Sequence, residues 1–342
     1  MKLSIGLKRY MEFLPDIYNT EYLVNSALEK RENLFKDENT NCFRIFNSSG
    51  DGFEGLTIDF YAGYILIQYF NKSAESVVNR ISQLLIKILP VPIKGILSKN
   101  RTINSDKSVE QWKSRGELCS PVQNHTSEPA CSPDAKNGVV VIQNGINAKV
   151  DLINGQNTGI FLDMRNIRDK LSSFYKSESI KRMLNLFSYT AIFSVHALKN
   201  RVNNSINIDL SKTVLNRAKI NYHLNDLRVD ERDFIYGDAI DWIKRLCKRK
   251  ELFDFIVFDP PTFARNKKGS FSVKKNYLDS LESIKSLVKD GFILTSVNSY
   301  SVTEEEYRSL HPVQWKLLML ENESSDFIYK DNPYLKVGLW KI

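Results

Sequence analysis

Lys181-Arg182-Met183-Leu184-Asn185-Leu186-Phe187-Ser188-Tyr189-Thr190-Ala191 opens the stretch that decides the fold, and Asp259-Pro260-Pro261-Thr262-Phe263 closes it. The apolar run Met183–Phe187 breaks at Ser188-Tyr189-Thr190-Ala191. A second run, Ser205-Ile206-Asn207-Ile208-Asp209, ends on an acid, and so does a third, Asp254-Phe255-Ile256-Val257-Phe258-Asp259. Helix-period segments such as Phe193–Leu198 lie between them. Strands alternating with helices predict a parallel sheet with crossover helices. In such sheets ligands bind beyond the carboxyl ends of the strands, where the strand order reverses. Those ends carry Asn185, Asp209, Asp238 and Asp259, so one pocket is expected to collect a set of polar acceptors.

Downstream, Arg265-Asn266-Lys267-Lys268-Gly269 reads as a basic loop. A helix over Tyr277–Lys289 should end near Gly291. The strand Phe292–Ser296 follows, finishing at Val297-Asn298-Ser299-Tyr300. Thr303 starts a helix with Glu304, Glu305 and Glu306 in its first turn, where the dipole favours acids. Trp315–Glu321 and Lys336–Ile342 read as closing antiparallel strands.

Upstream, the connector Asp151–Lys170 contains Gly155-Gln156-Asn157-Thr158-Gly159-Ile160-Phe161-Leu162-Asp163-Met164-Arg165. Its glycines permit close backbone approach to a ligand. The plain alternative is a helix N-terminus with Asp163 capping and Arg168 exposed. Earlier still, the pattern predicts a helix over Glu21–Phe35 and strands at Phe43–Phe46, Leu56–Phe60 and Tyr64–Tyr69, the last two joined at Ala62-Gly63. A helix Ala74–Leu89 is stopped by Pro90 and Pro92, and Ile93–Ser98 is another strand. Residues 99–137 show no period and read as a loop or irregular insertion. Asn144-Gly145, between Val139–Ile142 and Ile146–Val150, is the strongest hairpin signal in the chain. Three parts result: an N-terminal helical and extended segment (1–40), a small α+β domain (41–150) and an α/β domain (151–342).

The 342 residues suit roughly two domains. The net charge of +8 points to a polyanionic partner, nucleic acid first; a basic, Lys- and Asn-rich proteome would give the same balance. The four cysteines form no C-x-x-C pair and His125 stands alone, so no metal site is expected. There is no signal-peptide core and no run near the ~20 apolar residues of a membrane span. A cytoplasmic protein with reduced thiols and no membrane partner is expected. Nothing in the sequence sets the oligomeric state.

A nucleotide-like cofactor in an open α/β sheet needs a tight turn after the first strand, an acid at the second strand end for the ribose, and a polar group farther on for the base. Asn185–Ala191, Asp209 and Asp238 stand in that order, although helix capping would explain each acid singly. No G-x-G-x-x-G follows the first strand, which disfavours NAD, and no P-loop motif occurs. A cofactor without phosphates fits better, and S-adenosylmethionine is one.

These residues, with Leu210, Ser211 and Asp259-Pro260-Pro261-Thr262-Phe263-Ala264, resemble the class I S-adenosylmethionine-dependent RNA methyltransferases of the bacterial large-subunit rRNA methyltransferase I group. Gly155–Arg165 resembles that group's signature just before the catalytic domain. Gly50-Asp51-Gly52-Phe53-Glu54-Gly55-Leu56-Thr57-Ile58-Asp59 resembles the small α+β domain of RNA-binding type that precedes it. The resemblance implies a Rossmann-like class I methyltransferase sheet, S-adenosylmethionine as cofactor, and RNA as partner, namely the 23S rRNA of the large subunit. It implies that Thr158, Phe161, Asp163 and Arg165 wall the methionine end of the cofactor. Asn185, Phe187 and Tyr189 would form the first turn, Asp209, Leu210 and Ser211 would hold the ribose, and Asp238 the adenine. Asp259 and Pro260 would border the target base, with Asp259 and Asn298 as the catalytic groups. Arg265, Lys267 and Lys268 would meet RNA phosphates.

Three departures from the family stand out. Its first turn is glycine-rich after the Thr, whereas this chain has Ala191-Ile192. Many relatives begin with a PUA-type RNA-binding domain, for which residues 1–40 are too short. Cytosine C5 methylation uses a Cys thiolate that adds to C6, and relatives that do this place it after the strand read here as Leu294–Ser299, which holds none. Cys247 precedes the Asp259 strand, Cys119 and Cys131 fall in the irregular segment, and Cys42 is in the small domain. Methylating a ring nitrogen needs only positioning and electrostatics. A sister group that methylates guanine N7 resembles this chain in Asp-Pro-Pro-Thr-Phe and in an Asn after the later strand, where Asn298 stands. Direct transfer to a base atom such as guanine N7 is therefore expected over cytosine C5. A methyltransferase acting on protein or a small molecule, and a non-catalytic RNA-binding relative, are the other readings.

Overall fold

The computed structural model describes residues 16–102, 109–113, 138–261, 265–266, 269–270, 273–330 and 332–342, with backbone alone for 16–18, 109–113, 265–266, 269–270 and 273–276. The chain divides into two compact units. The first comprises the described residues through Gly145, with Val150–Thr158 and Ser325–Lys330; the second comprises Ile146–Lys149, Gly159–Ser324 and the described residues from 332 on.

In the first unit, helix α1 (Asp16–Glu29) precedes β1 (Cys42–Asn47), β2 (Leu56–Tyr61) and β3 (Tyr64–Tyr69), and helix α2 (Lys72–Ile88) crosses over to β4 (Gly95–Asn100). With β5 (Val109–Lys113) the sheet runs β1-β2-β3-β4-β5, parallel only between β3 and β4. α2 is capped by Asn71, whose side chain accepts from Ala74 N, and it buries Val77, Val78, Ile81 and Leu85 against the sheet. The β2–β3 turn places Ala62 at φ 50° and Gly63 at φ 96°, the paired left-handed geometry that suits the twist of a hairpin.

Two expectations change here. The helix over Glu21–Phe35 is broken: α1 stops at Glu29 and only a turn, Glu32–Phe35, follows. Between them Arg31 is 2% exposed and forks onto both Asp51 carboxylate oxygens at 3.0 and 2.7 Å. A buried guanidinium needs every donor satisfied, and Arg31 also reaches Ala27 O, Arg44 O and Asp326 O. Residues 99–137 are not all loop, because Val109–Lys113 forms β5 beside β4. Its main-chain bonds, which carry no sequence signature, define it; Cys119 and Cys131 lie outside the described residues.

The first unit also recruits Ser325–Lys330. Arg44 N donates to Asp326 Oδ2 at 2.8 Å and Asn47 Nδ2 to Ile328 O at 2.7 Å. A Cβ on Gly50 would lie 1.8 Å from Ile328 O, so only glycine fits.

β6 (Val139–Gln143) and β7 (Ile146–Val150) form a hairpin that turns at Asn144 (φ 51°) and Gly145 (φ 72°), as the dipeptide predicts.

The second unit is a seven-stranded sheet. Its strands are β8 (Arg182–Leu186), β9 (Asn204–Asp209), β10 (Phe234–Tyr236), β11 (Phe253–Phe258), β14 (Val288–Asn298), β15 (Lys316–Glu321) and β16 (Leu335–Lys341). The order is β10-β9-β8-β11-β14-β16-β15, parallel across the first five. β16 is antiparallel to both neighbours. The connecting helices are α3 (Arg165–Ser177), α4 (Ile192–Lys199), α5 (Lys212–His223), α6 (Ala239–Lys248), α7 (Val273–Lys285) and α8 (Glu304–Ser309). α6, α7 and Tyr307 of α8 pack on one face of the sheet, α3 and Phe193 and Ala197 of α4 on the other. This is the expected Rossmann-like arrangement. The order reverses between β8 and β11, so a cleft opens there beyond the carboxyl ends.

Gly291 does not end a helix. α7 stops at Lys285, and Gly291 lies inside β14. Phe253 pairs with Val288 but Phe255 with Phe292, so β14 bulges over Lys289–Gly291, with Asp290 at φ 54°. A Cβ at Gly291 would meet Asp254 O at 2.4 Å, so this glycine allows close strand approach rather than a cap. The basic loop contains a minimal antiparallel pair, β12 (Arg265–Asn266) with β13 (Gly269–Ser270). Among the described residues no helix is long and apolar enough to cross a membrane.

Candidate active site

The turn after β8 is built without glycine. Phe187, Tyr189 and Ala191 all take left-handed backbone, at φ 56°, 48° and 59°. That conformation costs an L-residue about 1–2 kcal/mol, so the surroundings must hold it. Ser188 N donates to Ile208 O at 3.0 Å and Ala191 N to Ser188 O at 2.8 Å. Tyr189 N donates to Asp209 Oδ2 at 2.9 Å. Thr190 Oγ1 donates to Gly159 O at 2.6 Å, and Asn221 Nδ2 to Thr190 O at 2.9 Å. Strain of this kind concentrates at functional sites.

Four acids face the cleft. Asp209 ends β9; its second oxygen accepts from Ser211 N at 2.9 Å, and burial raises its pKa against the pull of those backbone bonds. Asp238 caps α6 through Ile240 N and Asp241 N. Asp259 follows β11 and accepts a hydrogen bond from Ser296 Oγ. Its pKa is pushed up to about 6, chiefly by burial and further by the Asp163 charge, while Ser296 and Arg168 oppose the rise. Asp163 Oδ2 accepts from Tyr334 OH at 2.5 Å, and its Oδ1 is buried with no hydrogen-bond partner among the described residues. Arg168 is 2% exposed, not on the surface; its Nη2 donates to Phe161 O at 2.6 Å and its guanidinium lies over the Phe193 ring.

These groups share one cavity of about 440 Å³ in the second unit. Of the expected cofactor and catalytic residues, Phe161, Asp163, Asn185, Phe187, Tyr189, Asp209, Leu210, Asp238, Asp259, Pro260 and Asn298 line it. Three do not. Thr158 belongs to the first unit, with its hydroxyl 3.3 Å from Tyr61 OH. Arg165 is buried against Asn166, one helical turn before Arg168, which takes the cavity position. Ser211 is spent as the N-cap of α5. Asn185 lines the cleft while its amide donates to Ser194 Oγ in a buried polar chain. Arg265 lies in β12, and Lys267 and Lys268 fall outside the described residues.

Sequence reasoning passed over Arg168, Ser296 and Tyr334. Arg168 sits on an amphipathic helix, where a basic residue reads as exposed, and its burial rests on Phe161 O and the Phe193 ring. Ser296 and Tyr334 carry no local signal, because their partners are 37 and 171 positions away. Among the described residues no group of three or more His, Cys, Asp or Glu could hold a metal.

The donor set fits S-adenosylmethionine. That molecule offers a ribose diol, a sulfonium, an ammonium and a carboxylate, and no phosphate. The cavity offers four carboxylates, a buried arginine, and Phe187, Tyr189, Leu210 and Ile240 as apolar walls. Among the described residues Asp163 Oδ1 is an acceptor lacking its donor, and the buried Ser188 Oγ is a second polar atom without a partner. Its volume lies in the usual range for sites of this size class.

A profile of the S-adenosylmethionine-dependent methyltransferase family matches residues 44–309. The chain is 30% identical over 298 residues to YwbD of Bacillus subtilis, described as a candidate ribosomal RNA large subunit methyltransferase, covering 86% of this chain and 70% of that one. It is 33% identical over 271 residues to the ribosomal RNA large subunit methyltransferase I of Aeromonas salmonicida, covering 79% and 64%. The chain thus spans about two thirds of the length of these curated relatives. A solved structure described as a candidate methyltransferase, SMU.776, in complex with SAH superposes with a TM-score of 0.80 at 27% identity, covering 95% of this chain and 82% of that one.

Proposed function

Because the chain belongs to the S-adenosylmethionine-dependent methyltransferase family, we propose that it methylates a base of large-subunit rRNA, by direct transfer to a base atom such as guanine N7. The RNA substrate follows the relatives named as ribosomal RNA large subunit methyltransferases. The cofactor, S-adenosylmethionine, supplies when bound an electrophilic methyl group on a sulfonium.

The chain's residues divide the remaining work. Asp209 keeps acceptor capacity for the ribose hydroxyls, since its two oxygens carry four lone pairs and the backbone N–H groups of Tyr189, Ser211 and Leu210 do not use them all. Asp163 and Arg168 match the ammonium and the carboxylate at the methionine end. Asp238 stands by the adenine. Asp259 and Asn298, at the ends of adjacent strands, face the target base. A carboxylate there accepts from the N–H groups on the Watson–Crick edge of guanine, an amide donates to O6, and the charge of Asp259 offsets the positive charge that methylation of N7 leaves on the ring.

The observation that carries the direct route is the identity of the groups at that end of the cavity: Asp259, Ser296 bonded to it, and Asn298, with no thiol among the described lining residues. Cys42 is buried in the first unit, bonded to Ile142 O. Cys247 reaches Ser283 O of α7 and Ser286 Oγ just past its end. Tyr300, 73% exposed two residues past Asn298, sets its ring against Tyr334 and offers a face on which an unstacked base can lie. The test is to incubate the protein with S-adenosylmethionine and unmodified large-subunit rRNA and to analyse the nucleosides by mass spectrometry. 7-Methylguanosine is expected; 5-methylcytidine, or a covalent protein–RNA adduct, would refute direct transfer.

A further inference from the structure

Helix α6 carries a charge pattern that the site leaves unused. Ile243, Leu246 and Ala239 are its buried face. Lys244, Arg245, Lys248 and, just beyond the helix, Arg249 and Lys250 are all exposed. Among the described residues none of the five is within ion-pair distance of a carboxylate; the neighbouring Glu251 is engaged by Arg182 at 2.9 Å. Arg245 and Arg249 both lie over the Trp242 ring, at 5.0 and 6.0 Å. The indole fixes their planes and leaves the guanidinium edges for a bidentate acceptor.

Two features of this segment oppose stability. Lys244–Lys248 and Arg245–Arg249 are like-charge pairs at i,i+4, which weaken a helix. The helix dipole favours cations in the last turn, but it does not account for Lys250. The helix ends in a Schellman arrangement, with Glu251 N donating to Leu246 O and Lys250 N to Cys247 O. The C′ position of that motif is left-handed and usually glycine, yet here Lys250 takes it at φ 55°. A lysine held there at a conformational cost extends the row of cations by one.

We propose that Lys244, Arg245, Lys248, Arg249 and Lys250 form a docking surface for the phosphate backbone of the RNA that carries the target base. This rests on the rRNA reading above. Stacked arginines beside unpaired lysines suit closely spaced phosphates, whose binding releases condensed counterions.

The test compares three proteins on a large-subunit rRNA fragment, measuring Kd from 50 to 200 mM salt. In the variant K244Q/R245Q/K248Q/R249Q, the plot of log Kd against log salt should become shallower by about 3, at 0.7–0.9 for each of four lost phosphate contacts. Its affinity for S-adenosylmethionine should be unchanged, which also verifies its fold. A control, K72Q/K87Q/K176Q/K316Q, removes the same charge from other exposed positions and should keep the wild-type slope. An unchanged slope in the first variant, or equal flattening in the control, would overturn the proposal while leaving the rRNA reading intact. Failure of the wild type to bind rRNA would remove both. Lys250→Gly adds a readout that a structural role would not give: a raised Tm together with weaker RNA binding.

Discussion

Replacing Asp209 tests whether the acid at the end of β9 holds the cofactor or only the turn beside it. Its two oxygens accept from Tyr189 N and Ser211 N, both at 2.9 Å. Hydrogen bonds to a charged group contribute about 1.5–3 kcal/mol each, and the Tyr189 bond restrains a turn with three left-handed non-glycine residues. Asp209→Ala should therefore lower stability by about 2–4 kcal/mol, read as a falling denaturant midpoint. If the carboxylate also accepts from the ribose, binding of S-adenosylmethionine falls by a further 1.5–3 kcal/mol, roughly 10- to 150-fold in Kd. Asp209→Asn separates the two effects. It keeps the volume and one acceptor oxygen, so most of the turn survives, but it puts an NH₂ group where the ribose would donate. Calorimetry with S-adenosylmethionine and with SAH gives the affinity, and thermal unfolding gives the stability. Loss of Tm with cofactor affinity unchanged in both variants would refute the ribose role and leave Asp209 as a turn anchor alone.

Asp259 makes a prediction in pH. Burial raises its pKa from 3.8 to about 6, so the folded state binds that proton more tightly than the unfolded one; the resulting stabilisation is full below pH 3.8 and is lost as pH rises through 6. Asp259→Asn, permanently neutral, should gain several degrees in Tm over wild type at pH 7.5 and little at pH 4.5, while methyl transfer collapses; an equal gain at both pH values would deny the raised pKa. His311, lowered to about 4 by burial, loses stabilisation as pH falls from 6.5 towards 4, and because both proteins share it the comparison cancels it. Replacing all four cysteines by serine should preserve turnover on unmodified rRNA, and abolished transfer with intact cofactor binding would return the mechanism to a thiolate. Gly50→Ala should destabilise by about 1–3 kcal/mol, as overpacking does, because its Cβ meets Ile328 O at 1.8 Å; a variant as stable as wild type would show that Ser325–Lys330 is not pinned there.

What could be read without coordinates was whatever the chain writes locally. β8, β9 and β11 were legible because each is a short apolar run with a polar stop, and the stop fixes which end of the sheet holds the site. Asn144-Gly145 and Ala62-Gly63 were legible because two consecutive left-handed residues narrow the choice of side chains. The return of Ser325–Lys330 to the first unit was not, since Arg31, Arg44 and Asn47 bind it across more than 280 positions. Gly291 misled because a glycine after a helical pattern reads as a cap, and only the bulge opposite Asp254 shows otherwise. At the site, acids at strand ends were found by position. Arg168 was missed because a basic residue on an amphipathic helix defaults to solvent, and its burial depends on Phe161 O and the Phe193 ring.

The turn after β8 reaches its shape without glycine. Glycine serves such turns by reaching left-handed backbone freely, but it brings no side chain. Here Phe187 and Tyr189 reach the same region and line the cavity as well. Tyr189 sets its ring 5.1 Å from Phe161, and Phe187 lies 5.9 Å from Phe258, so each is braced by a second aromatic. Ala191, fully buried just before α4, takes the third left-handed position. The strain of three such residues is opposed by Asp209 and the Ile208 carbonyl of β9, by Asn221 of α5, and by Gly159 O, which accepts from Thr190 in the turn. A turn restrained from several elements is held in place by the chain itself, so a ligand that binds against it would have little ordering to do.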